Sequence, residues 1–285
     1  MDNKPSFYAD SVKPIVPVKA TGKWDKKQFI HPDDQSAMDA FHKIPGADML
    51  TRMITSGVAE RNLLGLSYAT DIRVSEKQLP EIYALLETVS EKLNLGTKKP
   101  TLFLQTNPSP NAYTFGVSDI VLVLTTGLLR DLTHEEVQAV IAHECGHIVC
   151  EHTLYSTAGL LIKLLGSTVL PGILVEPIKL ALNYWSRMAE FSADRVGPMV
   201  TDPGVMERAL LRISGVPRNI TDQVNIEEYL AQIAEYDRRF ERTMDKTLMN
   251  LNAAYQDHPF TVNRIRALRE WTSSIAFQRL RKQIG

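Results

Sequence analysis

The 285-residue chain is 44% hydrophobic and 23% charged, enough apolar material for one large core with short appendages. Its 32 basic and 33 acidic residues leave a net charge of −1, which gives no electrostatic footing for nucleic acid or for a strongly anionic surface. The start, M-D-N-K-P-S-F-Y-A-D, lacks the basic and apolar regions of a signal peptide. The two cysteines, Cys145 and Cys150, lie five apart on a predicted helix and point about 140° away from each other. Two reduced thiols in a cytoplasmic compartment are therefore expected.

Residues 1–30 carry Pro5, Pro14 and Pro17 without a hydrophobic period and read as an extended arm ahead of a single domain over 31–285. Asp33 or Asp34 is expected to cap a helix reaching Ile44. A second helix is expected over 47–64, and the alternation of Ser67–Val74 predicts a strand. Leu79, Ile82, Tyr83, Leu86, Val89 and Leu93 predict a helix over 78–95, with Pro80 in its first turn and Gly96 as its stop. Strands are expected at 101–106, 112–115 and 120–124, the last two joined by G-V-S-D. A helical turn is expected at 127–131.

The next helix should begin at Thr133, which forms a capping box with Glu136. It carries His143-Glu144-Cys145-Gly146-His147, an H-E-x-x-H pattern. Histidines four apart on a helix differ by about 40° of rotation and about 6 Å of rise, so both imidazoles can bind one metal ion. Glu144 points into the same space, where it can take a proton from water. Val137, Val140, Ile141 and Ile148 define the buried stripe, and Glu144 falls within it. A carboxylate among core-facing residues is costly unless it is paired or metal-linked. His134 and His152, which flank the motif, read as helix-surface residues.

Residues 154–185 are the most apolar stretch. Lys163, Glu176 and Lys179 interrupt it, and Pro171 and Pro177 are expected to break any single helix. Two packed helical segments fit better than a bilayer span, with peripheral membrane contact or self-association as the alternatives. Helices follow at 185–197, 203–214, 226–255 and 261–281, with a loop at 217–224. The middle of the 226–255 segment is a solvated face of mixed charge. The whole predicts a mainly helical α+β fold with a small sheet.

Zinc on two histidines needs a third protein ligand and an open position. The pattern H-E-x-x-H-x-x-G-x-x-H is absent, because Cys150 stands where that glycine would be. The third ligand is then a carboxylate on a later helix, and Glu190 is the best candidate. Asp194 follows it by four residues and can accept an N–H from a liganding imidazole, most simply His143.

With these residues in place the chain resembles the zinc metallopeptidases that include the HtpX-type heat-shock proteases and the CaaX prenyl proteases. The resemblance rests on H-E-C-G-H, A-E-F-S-A-D-R-V-G, R-V-S-E-K-Q-L-P-E-I-Y, P-N-A-Y at 110–113, V-L-T-T-G-L-L at 123–129 and H-P-F-T-V-N-R at 258–264. It implies a gluzincin-like helical core with a small sheet over the motif helix, and one Zn²⁺ on His143, His147 and Glu190 with Glu144 as base. It also implies that Asn111 and Ala112 lie at a sheet edge open to a substrate strand. His258 would stand near the metal and help hold an oxyanion, and Arg264 would be a structural partner there. Two readings follow: a zinc-dependent endopeptidase acting on protein or peptide substrates in quality control; or a zinc-stabilised chaperone or adaptor whose cleft is closed.

Overall fold

The computed structural model describes residues 25–55, 58–165, 172–239 and 258–284. Its sheet is built from β1 (Ile72–Arg73), β2 (Thr101–Gln105), β3 (Ala112–Phe115) and β4 (Val121–Thr125), in the order β1-β2-β4-β3. β2 and β4 run parallel, from Thr101 beside Val121 to Gln105 beside Thr125. β1 and β3 flank them antiparallel, so β3 forms one edge. Both central strands are buried on two faces, which explains their unbroken apolar runs, L-F-L and V-L-V-L. Leu102, Leu104, Leu122 and Leu124 join the main core with α4 (Pro80–Lys92) and α6 (His134–Val149). Phe103, Val121 and Val123 point the other way, towards Leu63 of α3 (Val58–Thr70) and Leu161 of α7 (Thr153–Leu165). The sheet thus lies between two helical layers.

A third cluster packs α1 (Pro32–His42) and α7 against α8 (Gly172–Asp194) through Ala37, Phe41, Ala158, Leu182 and Trp185. The remaining short helices are α2 (Ala47–Thr55), α5 (Thr126–Asp131), α9 (Gly197–Val200), α10 (Pro203–Ile213), α11 (Arg218–Thr221) and α12 (Ile226–Arg239). Helices Thr261–Thr272 and Ile275–Ile284 close the described chain. The mainly helical α+β class is as the sequence implies.

Several local expectations are corrected. Ser67–Thr70 continues α3, because Glu60, Leu63 and Ser67 form a buried stripe at helical spacing; only Ile72 and Arg73 pair with β2. The helix expected over 47–64 is two, α2 and α3. Pro177 does not break α8, where it stands in the second turn and removes a single backbone bond. Residues 218–221 form one helical turn instead of a loop, and the last helix breaks at Ser273. The cap of α1 is His31, whose Nδ1 accepts from the Asp33 N–H at 3.2 Å; Pro32 takes the first helical position and moves both aspartates inside. Order also reaches back into the expected arm: Asp25 caps a 3₁₀ turn at Lys26–Gln28, and Phe29 is fully buried. The rest of the arm, residues 1–24, and 240–255 of the expected long helix lie outside the described residues. Among the described residues, no helix is long and apolar enough to cross a membrane.

Candidate metal centre

The capping box of α6 is formed as its sequence predicts: Thr133 Oγ1 accepts the Glu136 N–H and Glu136 accepts the Thr133 N–H at 2.8 Å. Glu136 is also salt-bridged to buried Arg212, which in turn reaches Asp222 at 2.7 Å. This network anchors the start of the motif helix. Ten residues on, Gly146 lets α8 approach closely. A Cβ there would meet the Ala193 carbonyl oxygen at 3.0 Å and Val196 Cβ at 3.1 Å. The approach carries Glu190 and Asp194 up to the two histidines of α6.

His143, His147 and Glu190 each offer a ligand atom, and the three atoms lie within 4.8 Å of one another. The imidazoles stand nearly perpendicular, with centroids 5.0 Å apart. His143 Nε2 is 3.6 Å from Glu190 Oε2, and His147 Nε2 is 3.3 Å from Glu190 Oε1. The other ring nitrogens face away. His143 Nδ1 lies 3.0 Å from Asp194 Oδ1, in a bent approach, and His147 Nδ1 lies 3.0 Å from His152 Nδ1. Both Nε2 atoms are left to converge on one point beside the Glu190 carboxylate.

The charge balance of this cluster favours a dication. Glu144, Glu190 and Asp194 are buried carboxylates, and Arg264 is the buried guanidinium set against them. Arg264 donates to both oxygens of Asp194, at 2.8 and 2.6 Å, and sits 3.0 Å from Glu190. Burial pushes the Glu190 carboxyl up, but Arg264 and His258 outweigh it and hold the group well below its usual range. Burial likewise opposes a charged His143, yet Asp194 and Glu190 raise it to about 10. His258 Nδ1 is 3.1 Å from Glu190 Oε2, and that carboxylate raises the imidazole above its ordinary value. Three buried carboxylates against one buried guanidinium leave room for two positive charges. His, His and carboxylate around an open position is the donor set of a hydrolytic zinc site.

Glu144 lines a cleft of about 360 Å³ together with His147, Glu190, His258, Asn111 and Ala112. Thr114, pointing down from β3, donates to Glu144 Oε2 at 2.8 Å. β3 forms the rim. Asn111 Oδ1 accepts the Ala112 N–H at 3.0 Å, so this outward N–H of the edge strand is covered by its own neighbour. The cleft continues along α7 and α8 past Tyr155, Leu160 and Leu182.

All the residues singled out from sequence therefore converge here. Three others were not foreseen. Thr114 is invisible because only the strand register turns it towards Glu144. His152 is not on the surface but almost fully buried, and Asp34 lies beneath it with Nε2 to Oδ2 at 3.0 Å. The one signal for His152 was an imidazole placed immediately after the end of a histidine-bearing helix.

This is the active-site geometry of a metal-dependent peptidase. The comparisons agree: residues 76–272 match the family described as Peptidase family M48, and the chain belongs to it. It is also similar to the plastoglobule-localized metallopeptidase 48, chloroplastic, of Arabidopsis thaliana. The two are 31% identical over 265 residues, covering 91% of this chain and 76% of that protein.

Proposed function

We propose that the chain is a zinc-dependent endopeptidase working in protein quality control. The observation that carries this is the convergence of two imidazoles and one carboxylate on a cleft that also holds Glu144. His143, His147 and Glu190 hold one zinc ion. Bound there, zinc supplies a Lewis acid that polarises the scissile carbonyl and the attacking water. Glu144, oriented by Thr114, takes the proton from that water and passes it to the leaving amine. Asp194 orients His143, and Arg264 holds Asp194 and Glu190 in place. His258, on the wall of the same cleft, donates to the oxyanion. An extended peptide adds to the β3 edge at Asn111 and Ala112, once the Asn111 side chain yields the N–H it covers.

Residues 31–285 act as one peptidase domain, a reading supported by an apolar cluster that runs from Val74 to Leu280 and by the packing of α1 on α8. A cytoplasmic place of action is supported by two free, buried thiols. Contact with a membrane surface or a second copy through 154–185 is supported by Leu164, Leu180 and Tyr184, each at least half exposed. The Arabidopsis relative is named for its place at plastoglobules in the chloroplast. A chaperone or adaptor with a closed cleft is the weaker reading, because among the described residues the cleft reaches Glu144 from outside.

Glu144→Gln is the test. It should bind zinc as the natural protein does and hydrolyse casein about 10²–10⁴-fold more slowly. Unchanged cleavage would refute the mechanism. Activity that emerges only after removal of residues 1–24 would identify a self-inhibited enzyme.

A further inference from the structure

The two histidines of the motif are supported unequally. His143 leans on Asp194, four residues beyond Glu190 on the same helix. His147 leans on His152, and through it on Asp34 of α1.

The turn after α6 makes the second arrangement. Cys150 ends the helix, and Glu151 adopts a left-handed conformation with φ of 62°. The His152 N–H then donates to the His147 carbonyl at 2.8 Å, and the Glu151 N–H donates to the Ile148 carbonyl at 3.1 Å. This pair of bonds is a Schellman motif, usually closed by glycine at the left-handed position. Here a glutamate takes that strain, held by Lys26 at 2.6 Å. The turn folds the His152 ring back under His147, with ring centroids 5.3 Å apart and Nδ1 to Nδ1 at 3.0 Å.

Chemistry selects one proton arrangement. To bind a metal through Nε2, His147 must carry its proton on Nδ1. That N–H faces His152 Nδ1, which must then be a lone pair, so the His152 proton sits on Nε2. His152 Nε2 lies 3.0 Å from Asp34 Oδ2, off the line of the ring N–H. Asp34 is itself fixed: Trp185 Nε1 donates to Oδ1 at 2.9 Å, and the Ser192 hydroxyl donates to Oδ2 at 2.6 Å. Trp185 also stands edge-on to the His152 ring, with centroids 5.5 Å apart. A buried imidazole–carboxylate pair is costly to maintain unless it is compensated, and here the Asp34 carboxylate and the His152 ring stand in succession behind His147.

We infer that Asp34 and His152 form a relay of positioning residues that sets the tautomer and ring angle of His147, and so the strength with which the site holds its metal. The relay rests on the zinc reading above, and its test separates the two. Zinc affinity of the full chain is measured by competition with a chromophoric chelator, for the natural protein, His152→Ala and His152→Gln. The visible spectrum of each Co²⁺-loaded protein is recorded alongside. His152→Ala should bind zinc about 10- to 100-fold more weakly and shift the Co²⁺ bands, as loss of such a partner does. His152→Gln, whose amide oxygen can accept from His147 Nδ1, should recover much of the affinity. A purely structural role would lower thermal stability and leave the Co²⁺ bands unmoved.

Equal affinity, within twofold, and identical spectra in His152→Ala would overturn the relay while leaving the zinc site intact. Failure of the natural protein to bind either metal would overturn both readings. Should His152→Ala not fold, ¹⁵N shifts of histidine in the natural zinc-loaded protein decide. Protons on His147 Nδ1 and His152 Nε2 support the relay, and a proton on His152 Nδ1 refutes it.

Discussion

Replacing Arg264 by methionine should destabilise the metal-free protein far more than the zinc-loaded one. The guanidinium is buried and makes two bonds to Asp194, at 2.8 and 2.6 Å, with a third contact to Glu190 at 3.0 Å. Methionine fills much of the volume but leaves two buried carboxylates side by side. Removing one partner of a buried ion pair costs about 3–5 kcal/mol. In a domain of this size each kcal/mol moves Tm by about 2–4 °C, so the metal-free variant should melt roughly 6–20 °C lower. A divalent cation on Glu190 replaces part of the missing charge, so saturating Zn²⁺ should recover a substantial part of that loss. Arg264→Lys should fall between the two, keeping the charge but losing the forked geometry. Calorimetry of all three proteins, with and without zinc, measures the effect. An equal loss in the two metal states would refute the charge argument, and no loss at all would refute the buried network.

Two further outcomes follow from the packing and the charge. Gly146→Ala should cost about 1–3 kcal/mol by overpacking, because its Cβ would lie 3.0–3.1 Å from Ala193 and Val196, and should weaken zinc binding by moving α8 outwards; Gly65→Ala, with open space around it, should be neutral or stabilising by about 0.5–1 kcal/mol. Equal melting temperatures for the two variants would show that the α6–α8 approach is not tight. Burial raises the Asp34 carboxyl, but His152, Ser192 and Trp185 outweigh it and hold the group below its ordinary value. A depressed carboxyl contributes stability above its unfolded pKa and loses it as pH falls through the folded one. Urea unfolding below about pH 4 should therefore weaken more steeply in the natural protein than in Asp34→Asn, and parallel curves would refute this.

What was legible in the sequence was what short-range rules govern. Thr133 and Glu136 announce the motif helix through a capping box, and the i, i+4 spacing of His143 with His147 and of Glu190 with Asp194 puts each pair on one face. The fully buried strands were found because L-F-L and V-L-V-L are short and bounded by turn residues. Long-range geometry was not legible. Ser67–Val74 alternates like a strand, yet the burial of Glu60, Leu63 and Ser67 decides for helix. The parallel pairing of β2 with β4 leaves no local mark. His152 looked like a surface residue because its partner Asp34 arrives from a helix more than a hundred residues earlier in the chain. Pro177 looked like a breaker because the rule for proline takes no account of a helix held by packing along its remaining length.

Helix α1 has a consequence for how such chains diversify. The stretch by which the family is recognised runs from residue 76 to 272, whereas Asp34 and the helix that carries it lie before that stretch. An excised 76–272 core would keep His143, His147 and Glu190, the three side chains that could hold a metal, together with Glu144, yet lose the carboxylate behind His152 and the α1 surface that packs on α8. The stretch matched by the family, 76–272, and the stretch that completes the architecture are therefore not the same length. Two chains with identical motifs can differ in how firmly their second imidazole is braced, through changes in a preceding helix that never touches the cleft chemistry.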